Sequence, residues 1–236
     1  MIACDLHVHS IRSTCGYHTL LEIVSVMREK ELKAFALTDH SPVHSTPYAH
    51  FSVMLRRMPR MISGLRVFKG IEATILNDEG DIDVPLIEGN PFEIVLAGLH
   101  EYGEFYGCRN RENNTRTVIN VMKKHPSVKI ISHPFYREFP LDLDAVTDVA
   151  LETGTALEIN NSYLLTGKAD TEALENLLEH AVKKGTLLSV NSDGHMFTEM
   201  GQFDLAVDFM KPYSIGDTQI VNRTFASTLA FLGLEE

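Results

Sequence analysis

Histidine and acidic side chains recur along the sequence at nearly even intervals, and the first two form a His-x-His pair. The chain has eleven histidines and no tryptophan. Each candidate group follows a short apolar run, and the groups are His7 and His9, Asp39 and His40, Glu72, His100, His133, Asn160 and Asn161, and Asp193 and His195. Imidazole and carboxylate groups together are typical ligands of zinc, manganese and iron, whereas calcium prefers oxygen ligands. The set therefore predicts a transition-metal site.

The number of candidate ligands indicates more than one ion. A tetrahedral ion uses about four ligands, and this set is about twice as large. Alternate residues of a strand point to the same side, so His7 and His9 can bind one ion. Glu72 or Asp193 can bridge a pair of ions. We expect two or three divalent ions, with zinc favoured and manganese or iron as alternatives. The remaining histidines are interpreted as structural, namely His18, His44, His50, His125 and His180.

The intervals between these groups match the repeat of a parallel α/β fold. Successive positions are separated by about 30 residues, the length of one βα unit. The apolar runs that precede them predict buried strands at residues 2–6, 34–37, 67–71, 94–99, 128–131, 156–159 and 187–190. Apolar strands that alternate with helices are typical of a parallel sheet covered on its outer face. In a barrel, the carboxyl ends of such strands meet at one mouth, where active sites lie.

Helix start and stop signals lie between the predicted strands. Thr19 and Glu22 have capping-box spacing ahead of an apolar run with a helical period. Two further helices are framed by Asp142 and Gly154, and by Asp170 or Thr171 and Gly185. No linker, repeat or low-complexity stretch interrupts the pattern. The sequence therefore predicts a single α/β domain over residues 1–236.

Composition and charge exclude several other classes of protein. Hydrophobic residues make up 44% of the chain and charged residues 22%, which is typical of globular domains. The formal net charge is −11, whereas proteins that coat long nucleic acid carry basic stripes. Cys4, Cys15 and Cys108 do not form the spacing of a disulfide framework. The sequence also lacks a signal-peptide pattern and an apolar run of about 20 residues. We expect a cytoplasmic protein without a membrane or long nucleic-acid partner, and the sequence does not predict its oligomeric state.

Six short segments together resemble the PHP (polymerase and histidinol phosphatase) family. They are Asp5-Leu6-His7-Val8-His9-Ser10, Thr38-Asp39-His40, Gly70-Ile71-Glu72, Gly98-Leu99-His100-Glu101, Ser132-His133-Pro134 and Asn191-Ser192-Asp193-Gly194-His195. The segment Glu158-Ile159-Asn160-Asn161-Ser162 fits the pattern as well. The resemblance covers nearly the whole chain and is strongest to the stand-alone YcdX-like phosphatases. It implies a distorted (β/α)7 TIM-like barrel with a trinuclear metal centre.

The resemblance also implies how the ligands divide among three ions. The first ion takes His7, His9, Glu72 and Asp193, the second shares Glu72 and takes His100 and His133, and the third takes His40 and His195. Where the YcdX-like pattern has a histidine that completes the third site, this chain has Cys15. A thiolate is a good zinc ligand, so we expect Cys15 to complete that site. The alternatives are that Cys15 is an idle thiol or that His18 replaces it.

Such a centre suits the hydrolysis of a phosphate ester. Metal ions lower the pKa of bound water and stabilise charge on the phosphoryl and leaving oxygens. We therefore expect hydrolysis of a small phosphate monoester by a metal-bound hydroxide. Glu72 and Asp193 are the expected catalytic residues, acting through the bridged ions.

Basic and aromatic residues near the mouth are candidates for substrate contacts. Arg12 follows the first predicted strand and Arg137 follows His133, so both are expected to bind substrate. Further candidates are Arg109, Arg111 and Arg116. The segments 41–51 and 101–111 are the expected walls of the substrate pocket.

Three other functions are compatible with parts of this pattern. Barrel amidohydrolases also begin with His-x-His, but they typically use a bridging lysine, whereas Glu72 and His100 occupy the corresponding strand ends here. A nucleotide phosphatase or an exonuclease-like phosphodiesterase is the second alternative. A non-catalytic metal-binding or structural role is the third, and the loss of several ligands would have favoured it.

Overall fold

Parallel strands form a barrel, and one short antiparallel strand extends its sheet. The structure is a computed structural model that describes residues 2–41, 48–85, 89–101 and 110–235. Its strands are β1 (Cys4–Val8), β2 (Ala34–Leu37), β3 (Met61–Ile62), β4 (Leu65–Thr74), β5 (Ile94–Gly98), β6 (Val128–Ile131), β7 (Ala156–Asn160) and β8 (Leu188–Asn191). The order of the parallel strands is β1-β2-β4-β5-β6-β7-β8, and β3 pairs antiparallel with β4. The predicted (β/α)7 barrel class is confirmed.

Helices flank the barrel along its side and at both ends. They are α1 (Leu20–Glu29), α2 (Tyr48–Arg57), α3 (Arg111–Lys124), α4 (Leu143–Thr153), α5 (Asn161–Leu165), α6 (Thr171–Lys184), α7 (Asp204–Met210) and α8 (Phe225–Leu232). Three of them, α1, α4 and α6, follow the predicted capping signals. The Glu22 carboxylate accepts a hydrogen bond from the Thr19 backbone at 2.7 Å, as the capping-box spacing predicts. Asp170 caps α6, which ends at Gly185 with a φ of 81°. No helix of the described residues is long and apolar enough to cross a membrane.

Strand β4 is longer than the predicted segment because it pairs with β2 along its first part and with β5 along its second. The change of partner falls at Gly70. A Cβ at this position would lie 2.7 Å from Thr38 Cγ2 and 3.0 Å from the Leu37 carbonyl oxygen. Glycine therefore allows the two neighbouring strands to approach closely where the sheet bends.

Backbone contacts and one buried amide join β1 to β8 and close the barrel. At the carboxyl ends, the His9 N–H donates to the Gly194 carbonyl at 3.0 Å. Nearer the amino ends, the Asn222 amide nitrogen donates to the carbonyls of Cys4 at 2.8 Å and Val190 at 2.6 Å. The Asn222 amide oxygen accepts from the Val190 N–H at 3.0 Å. This fully buried side chain replaces the strand-to-strand hydrogen bonds that the distorted barrel lacks here.

Apolar side chains fill the amino-terminal end of the barrel. This layer includes Leu6, Phe68, Leu96 and Ile130, each 0% exposed. Helix α8 covers the same end with Leu229 and Leu232. Because this end is filled, the buried polar side chains collect at the carboxyl end of the strands.

Candidate metal centre

The nine predicted ligand residues lie together at the carboxyl mouth of the barrel. They are His7, His9, Cys15, His40, Glu72, His100, His133, Asp193 and His195. In β1, the register against β2 shifts between Asp5 and Val8. This bulge lets His7 follow Leu6 on the inner side of the barrel, so that His7 and His9 share one face.

Two of these residues adopt a backbone conformation that is rare for side chains other than glycine. His133 has a φ of 35° and Asp193 a φ of 50°. Left-handed backbone costs free energy in residues with a Cβ, and it often marks functional positions. Here it turns both side chains from the strand ends towards the cluster.

The first group comprises His7, His9, Glu72 and Asp193. The two Nε2 atoms of the histidines are 3.0 Å apart. His7 Nε2 lies 3.3 Å from Glu72 Oε2 and 3.4 Å from Asp193 Oδ1, and His9 Nε2 lies 3.1 Å from Asp193 Oδ1. Ligands about 2.0–2.1 Å from a tetrahedral zinc ion are roughly 3.4 Å apart. The ligand atoms of His7, His9 and Glu72 therefore fit around one ion, and Asp193 Oδ1 lies within the same distance of both histidines.

The second group shares Glu72 with the first. Glu72 Oε1 lies 3.3 Å from His100 Nε2 and 3.2 Å from His133 Nε2. Its other oxygen, Oε2, faces the first group. Glu72 is thus placed as a carboxylate that can bridge two ions.

The third group contains Cys15, His40, His195 and a ligand atom of His9, all within 4.8 Å of one another. Burial raises the pKa of the Cys15 thiol, but hydrogen bonds with His195 and His40 outweigh it and lower the pKa from 9.0 to about 7. His18 lies outside this group, with its ring edge on Phe197. His40 Nδ1 is also 2.9 Å from Glu72 Oε2, and ligand atoms of His40, Glu72 and His100 lie within 4.8 Å of one another, so His40 borders the other two groups as well.

Polar groups contact the Nδ1 atoms of two histidine rings, so that the Nε2 atoms face the cluster. His9 Nδ1 contacts Ser13 Oγ at 2.9 Å, and this hydroxyl donates to Asp39 at 2.9 Å. His195 Nδ1 faces the Asp193 backbone carbonyl at 2.8 Å. Such partners fix the tautomer and orientation of metal-binding histidines. Asp39, a candidate from the sequence, therefore supports a ligand from behind.

The buried carboxylate of Glu158 orients His7 and several neighbours. Its Oε1 accepts from His7 Nδ1 at 2.7 Å and from the Asn191 amide at 2.9 Å. Its Oε2 accepts from the His133 backbone N–H at 2.8 Å and from the Asn160 amide at 2.9 Å. The sequence-based prediction gave Glu158 no role, although an acidic residue inside an apolar strand is a signal for one.

Opposite charges in the cluster shift pKa values in opposite directions. Burial alone would lower the pKa of His40, but the Glu72 carboxylate outweighs it and raises the pKa to about 10. Burial also opposes the rise in the pKa of His195, which Asp193 and Cys15 drive to about 9. Burial would raise the pKa of Glu72, but the surrounding histidines hold it well below its usual range. Without ions, protons on histidines therefore balance the buried carboxylates, as expected of a site built for cations.

One oxygen of Asp193 supports the same interpretation. The Asn160 amide donates to Asp193 Oδ2 at 3.1 Å. The buried Oδ1 accepts no hydrogen bond from the described residues, although it faces the two histidines of the first group. A buried carboxylate oxygen without a donor is costly unless an ion binds it. The residues present thus fit divalent transition-metal ions.

The described arginines that were predicted to bind substrate lie outside the described lining of the cavity at the cluster. Arg12 lines a separate cavity with Leu20 and Met54. Arg137 is exposed and donates to the Ala169 carbonyl at 2.9 Å. Arg111 and Arg116 face Asp142 and Asp78, at 3.8 Å and 3.2 Å. Arg109, His44 and most of the predicted pocket walls, residues 42–47 and 102–109, lie outside the described residues.

Two other histidines make ordinary structural contacts. His125 Nε2 lies 3.0 Å from the Gly80 carbonyl, and His180 Nδ1 lies 2.9 Å from Asp144. Neither contact involves the cluster.

A cavity of about 310 Å³ opens onto the cluster. Besides cluster residues, the described part of its lining includes Ser162, Tyr163, Thr166, Lys168 and Glu199. The sequence did not predict a role for Tyr163, Thr166, Lys168 or Glu199, because these residues follow the strand ends by several positions. The ring of Tyr163 stacks on His133 with centroids 4.5 Å apart.

Comparison with known proteins identifies the family. Residues 5–206 match the family model described as PHP domain. The chain belongs to the PHP domain family. A probable phosphatase of Shewanella piezotolerans is 38% identical to this PHP protein over 230 residues, which cover 97% of this chain and 92% of the relative. A probable phosphatase of Syntrophotalea carbinolica is 37% identical over 235 residues, with coverage of 98% and 95%.

A solved structure shares the fold. The histidinol phosphate phosphatase of Lactococcus lactis, in a complex with zinc, L-histidinol and phosphate, superposes with a TM-score of 0.63 and 17% identity. The likeness covers 89% of this chain and 91% of that one. At this identity it concerns the fold, which is the barrel predicted for the PHP family.

Proposed function

We propose that this PHP protein is a metal-dependent phosphatase that hydrolyses a small phosphate monoester at a centre of three divalent ions. The main support for this proposal is the position of Glu72. Its Oε2 faces His7 and His9, and its Oε1 faces His100 and His133. A bridged pair of ions suits in-line displacement at phosphorus, because it stabilises both the attacking and the leaving oxygen. The names of the relatives, probable phosphatases, support the same class of reaction.

The proposed ligands follow the three groups of the cluster. The first ion takes His7, His9, Glu72 and Asp193, the second takes Glu72, His100 and His133, and the third takes Cys15, His40 and His195. Zinc is the proposed ion, because imidazole and thiolate ligands favour it over manganese. The zinc in the Lactococcus lactis structure supports this choice.

Each part of the cluster then has a distinct task. When bound, the ions lower the pKa of a coordinated water and offset the charge of the phosphoryl group. Glu158 holds a proton on His7 Nδ1, which leaves Nε2 free to bind. Tyr163 covers one face of the His133 ring and keeps water from it. Glu72 and Asp193 act by holding the ions in place.

The cavity supports a small substrate. Its volume of about 310 Å³ is at the lower end of ligand pockets. The net charge of −11 gives the protein no general attraction for long nucleic acid. A monoester of a small alcohol or nucleoside is the substrate class that fits best.

Zinc content and turnover, measured on one preparation, test the proposal. Protein stripped by a chelator and reconstituted with zinc is expected to hold three ions and to hydrolyse p-nitrophenyl phosphate. The diester bis(p-nitrophenyl) phosphate tests the phosphodiesterase alternative. Removing a partner that only orients a metal ligand costs up to about 100-fold in activity, so Glu72→Gln, which alters a bridging ligand, is expected to lose at least that much turnover while keeping its circular dichroism spectrum.

Each contrary outcome points to a different error. Bound zinc without hydrolysis of any ester would contradict catalysis and favour a metal-binding role. Failure to bind zinc would refute the centre itself. Turnover of Glu72→Gln equal to that of the wild type would refute the bridging role of Glu72.

A further inference from the structure

A lysine that the sequence patterns did not single out lines the cavity above the cluster. Lys168 follows α5 and is exposed. Apart from histidines, it is the one basic side chain in the described lining of the cavity. The arginines predicted for this task, Arg12 and Arg137, do not line the described cavity.

Backbone contacts fix the main chain of Lys168 at the edge of the cavity. Its N–H donates to the Tyr163 carbonyl at 3.0 Å, and its carbonyl accepts from the Arg137 N–H at 3.1 Å. Its ammonium lies 5.3 Å from the centroid of the Tyr163 ring. The same ring stacks on His133, so the ammonium and the imidazole of a proposed ligand contact one phenol ring.

The ammonium of Lys168 is also available to a ligand. It forms no ion pair within the described part of the chain, whereas Lys184 pairs with Asp148 at 2.8 Å and Lys211 pairs with Asp208 at 2.6 Å. The cavity carboxylate of Glu199 is engaged differently, since it accepts from the backbone N–H groups of His195 at 3.0 Å and of Met196. A contact with an aromatic face holds a cation weakly, so an anion can draw it away.

We propose that Lys168 binds a phosphoryl oxygen of the substrate and sets its affinity. This inference rests on the proposed function. A lysine is a common phosphate ligand because its compact charge attracts phosphoryl oxygens without demanding a fixed geometry. Its task is to hold the phosphoryl group against the cluster before reaction, so the side chain contributes mainly to binding.

Two substitutions and a matched control test the proposal. Lys168→Gln removes the charge and Lys168→Arg keeps it, while Lys211→Gln makes the same change on the exposed end of α7. Calorimetry on zinc-reconstituted proteins measures the Kd for inorganic phosphate, and steady-state kinetics measures KM and kcat. We expect Lys168→Gln to raise both Kd and KM about tenfold, with zinc content unchanged and a smaller effect on kcat.

The outcomes separate this inference from the proposed function. Lys168→Arg should restore most of the affinity, and Lys211→Gln should match the wild type. A Kd for phosphate that is equal in the wild type and Lys168→Gln, or too weak to measure in the wild type, would overturn the role of Lys168. If the wild type binds phosphate but hydrolyses no ester, the proposed function fails, and the ratio of the two Kd values still decides the role of Lys168.

Discussion

Replacing Glu158 with glutamine exchanges one carboxylate oxygen, which orients residues of the cluster, for an NH2 group. The exchange should weaken zinc binding at the first group. The carboxylate accepts hydrogen bonds from four donors, two on each oxygen. An amide has one oxygen and one NH2 group, so it can accept on one side only. On the other side, an N–H group would face two donors.

The neighbours determine which side the amide nitrogen takes. On the Oε2 side it would face the backbone N–H of His133, which cannot change. The Oε1 side faces His7, which can shift its proton from Nδ1 to Nε2 and accept instead. That shift places a proton where the ion should bind. The Asn191 amide cannot rotate in compensation, because its oxygen already accepts from the Leu6 N–H at 3.1 Å.

The expected loss of zinc affinity is 10- to 100-fold, the usual effect of removing a partner that orients a metal ligand. This corresponds to about 1.4–2.8 kcal/mol. Competition with a chromophoric chelator measures the affinity, and elemental mass spectrometry counts the ions. Glu93→Gln is the control, because it alters a half-buried carboxylate that binds Arg66 at 2.6 Å and has no contact with a cluster residue among those the structure describes. Equal zinc affinity in Glu158→Gln and wild-type protein would refute the reasoning about the His7 tautomer.

Three further predictions concern protons, the thiol and the barrel closure. Zinc uptake by metal-free protein at pH 7 should release more than one proton per chain. Several cluster histidines have raised pKa values and therefore carry protons that zinc must displace. A pH-indicator dye that records no proton release would contradict this. In metal-free Cys108→Ser protein, the rate at which iodoacetamide alkylates Cys15 should rise with pH with a midpoint near the pKa of Cys15, about 7. Cys4 should not react, because burial raises its pKa to about 11. A midpoint near pH 9, or alkylation of Cys15 that zinc does not prevent, would argue against a thiolate ligand. Asn222→Ala should lower the free energy of unfolding by about 3 kcal/mol, since it leaves buried backbone groups without partners. Asn176→Ala, the same change at an exposed position, should alter the free energy of unfolding little. Equal urea midpoints for Asn222→Ala and the wild type would show that the amide is not needed for closure.

The sequence predicts which side chains lie together at the mouth of the barrel, because one physical pattern contains them. A polar residue at the end of an apolar strand is visible in the sequence, and a period of about 30 residues places such residues on one rim. Cys15 could be assigned beside His40 and His195 only by resemblance, and the structure brings these three side chains together.

The residues that sequence reasoning missed depend on contacts between distant segments. Glu158 lies inside a strand, and its role appears only when β1, β6 and β8 surround it. Asn222 joins Cys4 to Val190 across most of the chain, and no local pattern predicts such a contact. Arg12 was chosen because it follows a strand end, but the backbone turns it towards another cavity.

The closure of the barrel by Asn222 has a consequence for the order in which the protein can be assembled during synthesis. All nine proposed ligands precede residue 196, and the matched family region ends at residue 206. The ribosome therefore produces every proposed ligand before it produces the amide that joins the first strand to the last. Until that amide is made, β1 and β8 lack their shared partner near the amino ends of the strands, and among the described residues only the contacts at the carboxyl ends, such as His9 N–H to the Gly194 carbonyl, join the two edges. The segment that completes the closure of the barrel is thus one that contributes none of the proposed ligands.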